Sequence, residues 1–323
     1  MRLDRPDPLA SLLAADTTVV IDGGLATELE AAGHDLSDRL WSARLLVEEP
    51  EAIVAAHLAY FRAGAQVATS SSYQATFEGF AARGLDRTEA AAMLRRSVEL
   101  AGRARQRFED ELAAAGKPAR TVLVAASVGP YGAMLADGSE YRGDYGRSRR
   151  ELADWHRERL TILSDAGPDL LAIETIPTIE EGAALVELLA ERDGPPAWLS
   201  FSCADGATTR RGEPVEEAFA LADRADRVVA VGVNCTAPSA IDELVARARA
   251  VTAKPIVVYP NRGETWDAAT RRWRPTGAQP DVDGVSARRW VTLGARLVGG
   301  CCRVGPERIA EIAAALRIAG TAS

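Results

Sequence analysis

The sequence predicts a single (β/α)8 TIM-type barrel with long βα loops over its C-terminal face, and three observations carry that expectation. Eight short apolar runs recur along 323 residues, and each is followed by a stretch of helical periodicity. The two longest Gly-, Pro- and aromatic-containing insertions both follow strands, the side on which a barrel builds its mouth. A chain that is 47% hydrophobic and 26% charged can bury a large core. Barrels run longer than the average domain as one unit, so residues 1–323 read as one domain.

In order, the strands are expected at 17–21 (TTVVI), 66–70 (QVATS), 121–127 (TVLVAAS), 169–173 (DLLAI), 197–202 (AWLSFS), 228–233 (RVVAVGV without its first Arg), 255–259 (PIVVY) and 296–299 (RLVG). Most are near-continuously apolar, as strands of a parallel sheet covered on both faces must be. The intervening helices are expected at 50–64, 88–116, 148–166, 178–192, 214–225, 238–250, 284–294 and 305–319, several announced by a proline such as Pro50, Pro177, Pro214, Pro238 or Pro306. Eight βα units suit closure better than an open doubly wound sheet. The insertions are 129–147 and 260–283, and neither a low-complexity linker nor a solenoid repeat interrupts the pattern.

The formal net charge of −8 argues against broad contact with nucleic acid or anionic membranes, which need clustered Lys and Arg. Small-molecule substrates are the expected partners; oligomeric state is left open. No run approaches the roughly 18 to 20 apolar residues of a membrane span. The N-terminal MRLDRPDPLASLLAAD is too acidic and interrupted for a signal peptide, so a cytoplasmic location is expected. Four cysteines, two of them adjacent, do not make a secreted disulfide framework; in a reducing compartment they point to metal binding or catalysis.

Cys235 closes GVNC after the sixth strand, and Cys301 and Cys302 close GGCC after the eighth. Strand ends converge on one face of a barrel, so these three thiols can share an ion despite their separation. Three thiolates leave one tetrahedral position open, which is the pattern of catalytic rather than structural zinc. The competing reading is that a buried cysteine acts as a small hydrophobe. Cys203, in SFSCADG, is assigned to that packing role and left out of the ligand set.

The second cluster is DGGLATELE, directly after the first strand. Amides of Gly23 and Gly24 at a helix start suit a carboxylate, and Asp22 beside them suits an ammonium, although DG also marks ordinary turns and caps. Glu174, in IETIP, can share that ammonium or cap a helix toward solvent. Ser72 and Asn234 can orient substrate from strand ends or equally satisfy loop backbone. His34, His57 and His156 lack ligand spacing and are assigned surface or packing roles. No GxxxxGK[ST], HExxH or strand-to-helix GxGxxG occurs, which removes support for nucleotide hydrolysis, zincin proteolysis and Rossmann binding.

Taken together, DGGLATELE, SYQATFEGFAARGLD, SVGPYGAMLADGSEYRGDY, LLAIETIP, GVNC, VVYPN and GGCCR resemble the homocysteine S-methyltransferase family, from about Asp22 to about Arg303. The YGAMLADGSEYRGDY loop is similar to the branch that uses S-methylmethionine. The resemblance implies Zn2+ on Cys235, Cys301 and Cys302, and homocysteine held by Asp22, Gly23, Gly24 and Glu174, with Ser72 and Asn234 as further substrate contacts. It implies methyl transfer from a sulfonium, S-methylmethionine or S-adenosylmethionine, to homocysteine, giving methionine. Tyr131, Tyr141, Tyr145 or Trp266 are candidates to face the sulfonium. The chain ends about twenty residues after GGCCR, so neither the arm of the betaine-using relatives nor cobalamin or folate domains are expected. Other readings are a zinc or thiol redox sensor, or methylation of another thiol or selenol such as selenocysteine. A Schiff-base lyase or aldolase fits poorly, because Lys117 and Lys254 precede strands instead of ending them.

Overall fold

Alternation of short apolar strands with amphipathic helices produces a parallel barrel in the computed structural model, which describes residues 7–15, 18–35, 41–267, 272–274 and 280–320. The strands are β1 (Val19–Val20), β2 (Val67–Thr69), β3 (Leu123–Val128), β4 (Leu170–Ile176), β5 (Ala197–Phe201), β6 (Val228–Asn234) and β7 (Ile256–Tyr259). A short antiparallel hairpin, β8 (Thr265–Asp267) with β9 (Arg272–Arg274), lies in the second insertion, and β10 (Ala295–Val298) completes the barrel. The eight barrel strands run in the order β1-β10-β7-β6-β5-β4-β3-β2, all parallel. Closure comes from a parallel bridge between Ile21 and Val67, with Asp22 N donating to Val67 O at 3.0 Å and Gln66 N to Val20 O at 2.6 Å. Each expected strand overlaps an observed one.

Because side chains alternate along a strand, one set faces the barrel axis and the other the helices. The inner set joins Val19, Ile21, Val67, Leu123, Ala125, Leu170, Ala172, Trp198, Ala230, Val257, Tyr259 and Leu297 in one apolar cluster. Leu9 and Leu12 belong to it too, contributed by a helix, Pro8–Ala15, that the periodicity reading did not anticipate. Fully buried Trp198 anchors this layer through its indole N–H to the Tyr259 hydroxyl at 2.9 Å. Truncating such a core Trp to Ala costs about 3–5 kcal/mol. Continuing the same alternation upward turns the inner face polar, at Thr69, Ser127, Glu174 and Ser200 after two residues and at Asn234 after four.

Helix starts follow from local chemistry. Asp86 and Glu89 form a reciprocal capping box for Arg87–Ala114, and Ser148 and Glu151 another for Arg149–Asp165. Thr178 caps Ile179–Glu191 through Glu181 N. Among the described residues no helix is long and apolar enough to cross a membrane.

Two buried charged side chains fix the mouth. Arg159 donates to the carbonyls of Ala75, Gly129, Ser72 and Tyr73, tying the loops after β2 and β3 to one helix. Glu181 accepts from Tyr131 N at 2.6 Å, from the Tyr145 hydroxyl and from His156 Nε2 at 2.8 Å, pinning the 129–147 insertion. His156 is thus a structural anchor and His57 is fully buried in the helix Pro50–Ala63, in line with their packing assignment. His34 pairs with Glu49 at 3.2 Å near the surface.

Candidate metal centre and amino-acid pocket

Cys235 follows β6 directly, and Cys301 and Cys302 follow β10 after Gly299 and Gly300. Their three sulfurs lie within 4.8 Å of one another, and Cys301 Sγ and Cys302 Sγ are 4.0 Å apart. A tetrahedral ion bound to thiolates at about 2.3 Å needs sulfurs about 3.8 Å apart, so the donor set fits such an ion with little adjustment. Hydrogen bonds from the Cys301 and Cys302 thiols hold Cys235 well below the usual thiol range, against burial and helped by the Thr175 hydroxyl. The proximity of Cys235 in turn pushes Cys301 and Cys302 up. Three thiols crowded this closely share one negative charge, and a divalent cation is what allows all three to ionise. Cys203 stays apart; it is buried at the end of β5, and burial pushes its thiol up to about 12.

Backbone interactions hold the ligands in place. Cys301 N donates to Pro260 O at 2.8 Å, Cys302 N to Asn261 Oδ1 at 3.2 Å, and Gly300 N to Asp22 O at 3.1 Å, which gives the VVYPN and GGCC motifs a common purpose. A Cβ on Gly299 would meet Asp22 O at 2.6 Å, and one on Gly300 would meet Val304 Cγ1 at 2.2 Å, so only glycine lets this turn pack on the end of β1. Thr175, Cys235 and Arg303 all adopt positive φ (62°, 47° and 68°), so left-handed non-glycine backbone gathers around the centre.

Asn234 is completely buried beneath the sulfurs. Its Oδ1 accepts from Thr175 N and Ser200 Oγ, both at 2.7 Å, while Nδ2 donates to Thr175 Oγ1 at 2.7 Å and lies 4.0 Å from Cys301 Sγ. Its amide is thus engaged by the Thr175 backbone and by the Thr175 and Ser200 hydroxyls. Ser72 is likewise committed: its hydroxyl donates to Ser127 O at 2.7 Å and lies 2.8 Å from Ser70 Oγ, so it ties β2 to β3.

Asp22 and Glu174 come together across the barrel. Asp22 accepts from Thr69 N at 2.7 Å and Thr69 Oγ1 at 2.9 Å; Glu174 accepts from the Ser127 hydroxyl and from Tyr259 OH at 3.1 Å. Burial pushes Asp22 up to about 7 and Glu174 up to about 8, the latter raised further by Cys235 and by Asp22 itself. Two buried carboxyls that oppose each other's ionisation are relieved by an ammonium between them. Glu174 lies inside β4 and caps no helix. The glycine corner differs from expectation in one respect: Gly24 N already donates to Val304 O at 3.0 Å, leaving the Gly23 amide for a carboxylate. The following helix, Leu25–Ala31, has only seven residues and adds little dipole.

Of the aromatic candidates, Tyr141 approaches the cysteines, whose charge raises it after burial has done so. Tyr131 and Tyr145 pack on each other (5.4 Å between centroids), with Tyr131 also against Trp155 (5.1 Å). The Trp266 side chain lies outside the described residues. Tyr73, Thr175, Glu140 and Arg210 were missed. Thr69, Ser127 and Tyr259 were missed as well, although counting two from inward apolar positions would have found them, whereas Thr175 and Glu140 carry no such signal.

The fold and site define a barrel with three cysteine sulfurs gathered at its C-terminal mouth, near the buried carboxyls Asp22 and Glu174. Residues 19–316 match the family model described as homocysteine S-methyltransferase. The chain is 47% identical over 311 residues to the homocysteine S-methyltransferase YbgG of Bacillus subtilis, covering 95% of this chain and 97% of that one. It is 50% identical over 306 residues to homocysteine S-methyltransferase 4 of Zea mays, covering 92% and 89%. The metallated crystal structure of the homocysteine methyltransferase MmuM from Escherichia coli superposes with a TM-score of 0.83 at 45% identity, covering 95% and 99%. The chain belongs to the homocysteine S-methyltransferase family, and it is a methyltransferase.

Proposed function

We propose that this protein transfers a methyl group from a sulfonium donor, S-methylmethionine or S-adenosylmethionine, to L-homocysteine, with Zn2+ held by Cys235, Cys301 and Cys302. The observation that carries the reading is the three-sulfur cluster beside the paired carboxyls Asp22 and Glu174. The relatives' names state the acceptor, and one solved relative is described as metallated.

A free thiol near pKa 8.5 is only a few per cent thiolate at neutral pH, and the thiolate is the nucleophile. When bound, zinc supplies a Lewis-acid position at which the homocysteine thiol is deprotonated. The chain's own residues do the rest. Asp22 and Glu174 take the ammonium, and the Gly23 amide takes the carboxylate. With the amino-acid end fixed, the sulfur is held for in-line attack on the donor methyl. Cleavage of the donor's C–S bond leaves a neutral thioether, so no general acid is required. Asn234 and Ser72 support the pocket walls and are not substrate contacts in this reading.

One barrel domain suffices for this reaction, and a reducing, cytoplasmic setting suits thiols that must stay free for a metal. The test is methionine formation from homocysteine and either donor, together with bound zinc, in wild type and Cys235→Ser. One zinc per chain and loss of both zinc and turnover in the variant are expected. A variant or chelated enzyme with full turnover would refute the role of the centre, and zinc binding without turnover would favour the sensor reading.

A further inference from the structure

A methyl transfer between two amino acids needs two zwitterion-holding corners, one on each side of the reacting sulfurs, and Asp22 with Glu174 supplies only one. We infer that Glu140 and Arg210, which both adjoin Tyr141, form a second amino-acid subsite that holds the ammonium and the carboxylate of the donor's amino-acid end. This inference rests on the sulfonium-donor reading above and adds to it the residues that recognise the donor.

Two unsatisfied groups of opposite sign carry the argument. Glu140 is 7% exposed, and its Oε2 is buried without a hydrogen-bond partner. Arg210 Nε is also buried and unpartnered. A buried polar atom with no partner is costly, and a charged one more so, so such groups are rare unless a ligand satisfies them. One wants a donor and the other an acceptor. A single α-amino acid offers both.

Their placement fits. The 3-10 turn Ser139–Tyr141 and the backbone of Arg210 both hang from Ser202, whose hydroxyl donates to Glu140 O at 3.4 Å and whose carbonyl accepts from Arg210 N at 3.0 Å. The Arg210 guanidinium lies 5.3 Å from the Tyr141 ring centroid and donates through Nη2 at 3.1 Å to the carbonyl of Cys235, itself a candidate ligand. Tyr73 and Tyr141 are both buried near enough to Cys235 for its charge to raise them, so aromatic side chains adjoin both this corner and the cysteines. The first insertion thus carries a donor-recognition residue, and the buried Glu181 and Arg159 contacts hold it in place.

The experiment compares S-methylmethionine and S-adenosylmethionine, which share the amino-acid end, with trimethylsulfonium, which lacks it, using zinc-loaded enzyme and homocysteine. In Glu140→Gln, the kcat/KM preference for the amino-acid donor over trimethylsulfonium should fall by about 10- to 100-fold, mainly through KM, as expected for one charged hydrogen bond lost. Glu140→Asp should recover part of it. An unchanged preference, or an equal loss with every donor, would overturn the inference. Failure of the wild type with all three sulfonium donors would overturn the donor reading itself.

Discussion

Replacing Asn234 by alanine tests whether the metal centre is held by the barrel interior or merely decorates it. Asn234 is fully buried and serves four groups, of which the Ser200 and Thr175 hydroxyls can reorient but the Thr175 N–H cannot. That fixed amide would be left unsatisfied, at about 1–3 kcal/mol. Thr175 would also lose the Asn234 Nδ2 bond to its hydroxyl, about 0.5–1.5 kcal/mol net, and with it a restraint that holds its backbone at φ 62°. A destabilisation of about 2–4 kcal/mol is therefore expected in urea titration. Because Asn234 Nδ2 lies 4.0 Å from Cys301 Sγ and Thr175 reaches Cys235, zinc affinity by chelator competition should fall about 10- to 100-fold. Asn234→Asp keeps the acceptor for Thr175 N and should return part of the stability without the affinity. A variant within about 0.5 kcal/mol of wild type, with unaltered zinc affinity, would refute the reasoning.

Two further outcomes follow from the same corner of the barrel. In Gly24→Ala the new methyl would sit 2.7 Å from the Cys301 carbonyl, a backbone atom that must shift; zinc affinity should fall by about tenfold or more, and wild-type affinity would refute the close-packing account. Asp22 and Glu174 are raised from carboxyl values of 3.8 and 4.5 to about 7 and about 8, so the folded protein keeps protons that the unfolded chain releases. Their sign is definite: this contribution to stability is full below about pH 4 and is lost as pH rises toward 8. An ammonium ligand demands the ionised forms, so affinity for the product methionine, which has no thiol proton to lose, should weaken about tenfold per pH unit from 8 to 7 and more steeply, toward about hundredfold per unit, below 7. Calorimetric titration between pH 6 and 8 checks this, and a flat profile would show that these carboxyls do not meet the ammonium.

Much of the fold was legible because burial on both faces forces near-continuous apolar strands, and those eight runs recur at βα spacing. The helix Pro8–Ala15 escaped because its role, filling the barrel with Leu9 and Leu12, depends on contacts made far along the chain. Among site residues, the cysteines stood out by type and by position after strands. Gly24 donates its amide to Val304 O and Ser72 its hydroxyl to Ser127 O, long-range pairings that no local pattern reveals. Tyr131 and Tyr145 sat in the right loop but pack toward Trp155 and Glu181.

The amino-acid sequence by itself determined which residues face the barrel axis, since alternation along each strand is a local property of extended backbone. It also determined that three thiols end strands, and that apolar inner positions give way to polar ones toward the mouth. Only the tertiary structure decided which of those ends meet. Cys235 and Cys301 are more than sixty residues apart, and their convergence depends on sheet closure through Ile21 and Val67 and on the register of β6, β7 and β10. The same closure sets Asp22 against Glu174 and folds Glu140 back toward Cys235. Raised carboxyls, a shared thiol charge and unpartnered polar atoms are properties of that enclosure, because they arise from excluding water around groups that the chain alone keeps far apart.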